Sequence, residues 1–409
     1  MKTHLDKKVF AEALALLERV VPSKSHNPLL TYLSLALETS PAASLGDEPQ
    51  KAPRLVLAGT NEEVSLRLFI GLNAFASQGE HQEASPVHVL VPAAPLAQVV
   101  RSLPGDEVLL EVGKEGLGLA SGAFQTRLAL ADPEGFPELF VPEARLHLKA
   151  LDLLKALVHV RYAASNEEYR GIFRGIQLEF GQSLRAVATD GYRLALYDLE
   201  GGLAWATSLG EPQAAPIRLV VPARAVDEMV RLLKAAGPED EVALGFSVAS
   251  SPGGSQGGTI SLALAPAGKP WRAEMTVQLM EGSFPDYERV IPKEWALEVE
   301  VEAEVLKESL RRVGALASRE NHRLDLLFED GRLTLNAEGD YGKGREEVPL
   351  RTKGVAMSLS FNARYLLDAL GPVEGVALLR FSGAQAPAAV SAKGDQEGGY
   401  LAVVVPLRV

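Results

Sequence analysis

Glu107-Val108-Leu109-Leu110-Glu111-Val112 returns as Glu241-Val242-Ala243-Leu244-Gly245-Phe246, and a third time as Val376-Ala377-Leu378-Leu379-Arg380-Phe381. Val108, Val242 and Val376 stand at a constant interval of 134 residues. Two further patterns keep the same order. Leu55-Val56-Leu57-Ala58-Gly59-Thr60 matches Leu184-Arg185-Ala186-Val187-Ala188-Thr189 and, more weakly, Leu333-Thr334-Leu335-Asn336-Ala337-Glu338. Val91-Pro92-Ala93 matches Val221-Pro222-Ala223 and Phe361-Asn362-Ala363. One strand-like sextet recurs by chance, whereas ordered triplets at about a domain's length indicate one unit used three times. The 409 residues agree, since a domain takes roughly 150.

Each unit is expected to open with an amphipathic helix. Residues 6–20 put Val9, Phe10, Ala13, Leu14 and Leu17 on one face. Residues 148–161 group Leu151, Leu154, Leu157 and Val158, and residues 303–320 group Leu306, Leu310, Val313 and Ala317. A second helix is expected after Pro92, Pro222 and Asn362, residues suited to helix starts. The remainder is short Val/Leu/Ile runs broken by Gly, Pro, Asp and Asn, as in strands and hairpins. Residues 40–53, 77–86 and 250–258 read as loops. The units are expected at 1–144, 145–293 and 294–409.

Composition narrows the function. Apolar residues make up 47% and charged residues 23%, ordinary for a globular protein. The net charge of -12 excludes a cation-coated surface, and the absence of Cys excludes disulfides and thiolate chemistry. No apolar run approaches the roughly 20 residues of a membrane helix. Asp6, Glu12 and Glu18 interrupt the N-terminal apolar stretch, so it reads as a helix of the mature protein and the expected location is the cytoplasm. The charge is segregated. The six expected helices carry 15 Lys+Arg against 10 Asp+Glu, the rest 26 against 43. Such a body can hold a polyanion at its helices, although Lys and Arg are also simply good helix formers.

Equipment for catalysis is sparse. Gly342-Lys343-Gly344 lacks the spacing of a phosphate-binding loop. The seven His form no His-x-x-x-His pair, and no Gly-x-Ser-x-Gly elbow occurs. No metal or cofactor is expected, and no residue is assigned a catalytic role.

Three segments stand out. Thr189-Asp190-Gly191-Tyr192-Arg193-Leu194-Ala195 places an Asp-Gly turn between apolar runs. Gly282-Ser283-Phe284-Pro285-Asp286-Tyr287 is closed by Val290-Ile291-Pro292. Ala402-Val403-Val404-Val405-Pro406-Leu407-Arg408-Val409 is an apolar C-terminal tail, either a final buried strand or the lining of a groove. Together with Phe361-Asn362-Ala363-Arg364-Tyr365-Leu366-Leu367-Asp368, these segments resemble the bacterial β sliding clamp family, the processivity subunit of DNA polymerase III, over the whole chain.

The resemblance implies an α+β DNA clamp fold: three similar domains, each with two helices on antiparallel sheets, in a head-to-tail homodimeric ring. It implies a DNA sliding clamp that encircles duplex DNA without reading sequence and tethers the replicative polymerase. It implies no enzymatic activity. By the same resemblance, Lys24, Arg101, Tyr169, Arg170 and Arg224 fall at DNA-contacting positions. A peptide-binding groove falls on Phe173, Thr189, Gly191, Tyr192, Arg193, Leu194, Pro285, Val290, Tyr365, Val404, Val405, Pro406, Leu407 and Arg408. Leu128 and Leu316 fall at the dimer interface. The implied partners are double-stranded DNA, a second copy of the chain, the polymerase III catalytic subunit and the clamp loader. Repair polymerases, mismatch repair proteins and ligase would dock through short motifs. Two rival readings stay open: a hydrolase or transferase built on the Thr189-Asp190 turn and Arg193, and a repeat scaffold that binds no nucleic acid.

Overall fold

The computed structural model describes residues 2–38, 53–72, 75–76, 87–113, 115–199, 203–205, 216–248, 257–394 and 399–408. The loops expected at 40–53, 77–86 and 250–258 lie almost wholly outside them. The chain runs three times through one order: strand, helix, five strands, helix, three strands. The helices are α1 (Lys7–Leu17), α2 (Ala93–Ser102), α3 (Ala150–Arg161), α4 (Ala223–Leu233), α5 (Ala303–Gly314) and α6 (Ala363–Leu370). They pack in pairs, α1 with α2, α3 with α4 and α5 with α6.

A strand, not a helix, opens each unit: Lys2–Asp6, Ala144–Lys149 and Leu297–Glu302. Each pairs with the first strand after the second helix, through Asp6–Glu107, Lys149–Glu241 and Glu302–Val376. The third copy is therefore displaced by one residue from the equal interval that the sequence suggested. The helix starts follow local chemistry. Asp6 Oδ1 accepts the amides of Lys8 and Val9 at 2.7 and 3.0 Å, and Asn362 Oδ1 accepts those of Arg364 and Tyr365 at 2.9 and 3.4 Å.

In α1 and α5 the expected apolar faces are the buried ones, except that Val9 is half-buried and that α5 ends at Gly314, which leaves half-buried Ala317 beyond it. In α3 the expected face is wrong. Ala150, Leu153, Ala156, Leu157 and Val160 are buried, while Leu151 and Val158 are 36% and 46% exposed. This helix is apolar around most of its circumference, so spacing alone leaves its rotation open. The preceding strand fixes it.

Two seams join the units. Val64–Gly71 pairs antiparallel with Trp271–Gln278, and Arg193–Leu199 with Gly399–Val404. Each seam fuses a four-stranded and a five-stranded sheet into one of nine strands. At the first seam the buried carboxylate of Glu274 accepts hydrogen bonds from Arg67 and Arg272. The guanidiniums of Arg54, Arg67 and Arg272 stand 4.9, 5.6 and 4.9 Å from the centre of the Phe69 ring.

A five-stranded and a four-stranded sheet remain unjoined. The first ends on Phe124–Leu128, the counterpart of Trp271–Gln278 and Gly399–Val404. The second ends on Gly342–Pro349, the counterpart of Val64–Gly71 and Arg193–Leu199. The two open edges are thus the strand types that mate at both seams.

Candidate functional site

The most distinctive surface lies at the second seam. Leu184–Thr189 and Arg193–Leu199 form a hairpin whose turn is held by its own side chains. Thr189 Oγ1 donates to the Arg193 carbonyl at 2.7 Å and accepts the Gly191 amide at 3.1 Å. Asp190 Oδ1 accepts the amides of Tyr192 and Arg193 at 2.9 and 3.0 Å. Gly191 has φ +88°, a conformation that a β-carbon disfavours. The turn lifts Tyr192 to 51% exposure.

The C-terminal segment lies against this turn. Arg193 pairs with Val404, the Val405 amide donates to the Tyr192 carbonyl at 3.0 Å, and the Leu407 amide to the Ser360 carbonyl at 2.7 Å. Val404 is wholly buried, and Leu194 and Pro406 are also buried. Leu194, on the face it shares with Val403, forms the floor, whereas Val404 packs into the main core on the opposite face; Val405 offers surface at 42% exposure. The linker around Pro285 crosses the same sheet. Val187, Leu194, Leu196, Tyr287 and Val403 form a separate apolar cluster with Phe284 and Ile291 packed on it. Tyr287 pins the linker: its hydroxyl donates to Glu179 at 2.9 Å and accepts from Arg185 at 3.2 Å. Burial pushes that phenol up to about 12. Val290 is left 49% exposed and Pro285 half-buried.

Arg193 ties the groove wall to α6. Its guanidinium bonds Asp190 at 3.0 Å and also Asp368, and it stands 4.6 Å from the Tyr365 ring centre and 5.5 Å from that of Tyr162. Burial works against its charge, but Asp190 and Asp368 raise its pKa on balance. The Tyr162 and Tyr400 hydroxyls are 2.6 Å apart. Tyr400 donates onward to the Ala369 carbonyl at 2.7 Å, which leaves Tyr162 as the donor between them. Burial pushes both phenols well up. Tyr192 and Tyr365 stack at 6.4 Å across the seam, and Arg170 covers Tyr192 at 5.3 Å. The result is an apolar and aromatic trough edged by guanidiniums. It is suited to aliphatic and aromatic side chains of an extended peptide.

The seam thus gathers Thr189, Gly191, Tyr192, Arg193, Leu194, Tyr365, Val404, Val405, Pro406 and Leu407. Phe173 is half-buried in the Glu168–Arg174 turn that supplies Arg170, and Arg408 is exposed. Sequence reading missed Asp190 and Asp368 as Arg193 partners, although both lie inside quoted motifs. Tyr162 and Tyr400 carried no signal.

The basic residues expected to face DNA are scattered. Lys24 is exposed, and Tyr169 is 79% exposed. Arg101 is bound by Glu18 through both terminal nitrogens. Arg224 is exposed and 3.9 Å from Glu168. Arg170 bonds Glu167 at 2.9 Å and belongs to the groove, where it also holds the Glu167 carboxyl below its ordinary range. Lys8, Arg311 and Arg364 are exposed on helices and carry no ion pair among the described residues. Leu128 ends the open Phe124–Leu128 edge. Leu316 packs on the face of the other open strand, Gly342–Pro349: a β-carbon on Gly344 would stand 3.1 Å from its Cδ1.

Family models of the DNA polymerase III beta subunit match residues 147–286 (central domain) and 288–408 (C-terminal domain). The beta sliding clamp of Synechococcus elongatus is 28% identical over 97% of this chain and 96% of its own. That of Caulobacter vibrioides is 27% identical over the full length of both. Among solved structures, the DnaN sliding clamp of Pseudomonas aeruginosa bound to griselimycin superposes with a TM-score of 0.82 at 24% identity, covering both chains entirely. The pol III beta of Caulobacter crescentus does so at 0.78 and 26% identity, again over both chains.

Proposed function

The chain belongs to the DNA polymerase III beta subunit family, and from that membership we propose how it works as a sliding clamp. It is the non-catalytic processivity subunit. It holds the polymerase to DNA by encircling the duplex, so its contacts to phosphates are few and exchangeable. Two protomers close the ring. Phe124–Leu128 of one pairs antiparallel with Gly342–Pro349 of the other, completing a third and fourth nine-stranded sheet.

One observation carries this reading: both in-chain seams use the same strand-to-strand join, and the two open edges are the unused halves of that join. An open edge is otherwise an aggregation hazard. Leu128 and Leu316 then lie within the interface. Lys24, Arg224, Tyr169, Lys8, Arg311 and Arg364 face the duplex, while Arg101 contributes less because Glu18 neutralises it. The three units span 1–144, 145–293 and 294–409, and the protein works in the cytoplasm.

The groove at the second seam takes short motifs from the polymerase, the clamp loader, repair polymerases, mismatch repair proteins and ligase in turn. Loading onto nicked circular DNA and then linearising it tests the topological claim. The protein is expected to stay on the circle and be lost from the linear form. Equal retention on both contradicts encirclement.

A further inference from the structure

The first seam repeats the turn of the groove bond for bond. Thr60 Oγ1 donates to the Val64 carbonyl at 3.0 Å and accepts the Glu62 amide at 3.0 Å, as Thr189 does for Arg193 and Gly191. Asn61 Oδ1 accepts the amides of Glu63 and Val64 at 3.0 and 2.7 Å, as Asp190 does for Tyr192 and Arg193. Glu62 holds φ +74° where Gly191 holds +88°. A non-glycine residue in that conformation costs about 1 kcal/mol, so the surrounding bonds impose the turn. The following strand repeats the match. The Gln278 amide donates to the Glu63 carbonyl at 2.8 Å, as Val405 does to Tyr192, and the Met280 amide to the Val220 carbonyl at 2.8 Å, as Leu407 does to Ser360.

The side chains on this shared frame differ. Glu63 stands in the place of Tyr192, and Gln278, Leu279 and Met280 stand in the places of Val405, Pro406 and Leu407. Here the frame encloses a cavity of about 300 Å³. Leu279, Met280, Pro222 and Ala223 give it an apolar side, and Arg161, Arg174 and Arg224 a basic one, with Glu63 the single lining acid. Asp227 holds Arg161 at 2.8 and 2.9 Å, and Glu168 lies 3.9 Å from Arg224. Arg174 is half-buried and has no hydrogen-bond or ion-pair partner among the described residues. A guanidinium so placed matches a carboxylate in bidentate geometry.

From this we infer that the first seam is a second peptide-binding site, selective for an acidic extended segment. In an extended chain, alternate side chains face opposite ways. A peptide alternating Glu and Leu therefore turns a carboxylate to Arg174 and its leucines to Leu279 and Met280, and leaves Arg224 at the rim to the duplex. The choice of a peptide rests on the reading of the second seam as a peptide groove. The basic wall sets the preference for acid.

The test is fluorescence anisotropy on the full-length protein with a fluorescein-labelled Glu-Leu-Glu-Leu-Glu peptide. The same peptide with Gln for Glu is expected to bind about tenfold more weakly, and Arg174→Glu to weaken the acidic peptide by about tenfold or more. Arg174→Gln serves should the charge reversal prevent folding. Tyr192→Ala, which strips the second seam, leaves the acidic peptide within about twofold of its original affinity if the sites are separate. Three results overturn the inference. Arg174 variants could bind the peptide like the parent protein. Tyr192→Ala could abolish binding, which places the peptide in the groove of the second seam. Arg174 variants could lose affinity for a short DNA duplex while keeping the peptide, which makes the cavity a phosphate contact.

Discussion

Replacing Gln125 by proline is expected to open the ring while leaving the protomer folded. Ser121 and Phe124 flank a two-residue turn, and such a turn is closed by a hydrogen-bonded pair. Antiparallel alternation then points the amides of Thr126 and Leu128 into the sheet and those of Gln125 and Arg127 out of it. Proline at an outward position of an edge strand removes no bond within the protomer. Across the interface it deletes one N–H···O=C bond and strands a carbonyl on Gly342–Pro349, which costs about 2 kcal/mol. A closed dimer holds the lesion twice. The dissociation free energy should fall by about 4 kcal/mol, a Kd about a thousandfold weaker. Light scattering over a dilution series reads the Kd, and circular dichroism reports the protomer fold. Thr126→Pro is the internal contrast: its amide bonds inward to Leu119, so it should unfold the edge itself. A Gln125→Pro dimer whose Kd stays within about threefold of the parent would refute the edge-pairing argument.

Further outcomes follow from the seams. Tyr192→Ala removes the ring stacked on Tyr365 and covered by Arg170, and should cut polymerase stimulation about tenfold or more while the dimer persists in sedimentation. Unchanged stimulation would remove the trough from the account. Glu274→Gln leaves Arg67 and Arg272 without their carboxylate. Because Arg67 is one-third exposed, a loss of about 2 kcal/mol in urea unfolding is expected rather than the full cost of a wholly buried pair. Removing Leu407 would free the Ser360 carbonyl and loosen the groove floor, read as faster amide exchange at Val404 and Val405. Tyr287 keeps its proton longer when folded than when unfolded. Its contribution is therefore complete below about pH 10 and is lost as the pH rises towards about 12. Tyr287→Phe should flatten stability over that window, and an unaltered pH profile would show that the phenol does not titrate there.

The threefold repeat and the strand-to-helix transitions at Pro92, Pro222 and Asn362 were legible because a strand-to-helix corner needs particular residues at fixed places. The Asp190-Gly191 turn was legible for the same reason, since few sequences satisfy a positive φ and an amide-accepting side chain together. The phase of α3 was not legible. Leu151, Leu154, Leu157 and Val158 make as good a stripe as Leu153, Leu157 and Val160, and only the packing surface decides between them. Arg170 was read towards DNA through the family resemblance, whereas the Tyr192 ring, 22 residues on, becomes a neighbour of its guanidinium only after folding.

By itself the sequence determined the module, its count and its turns, all consequences of local propensity and short-range periodicity. Which strands mate between modules, which edges stay open and which cations are already neutralised were decided by the tertiary structure. Those properties depend on pairs such as Arg67–Glu274 and Arg193–Asp368, separated along the chain by more than a domain's length. Backbone pairing across a seam is chosen by the register and shape of whole sheets, which no local window of sequence encodes.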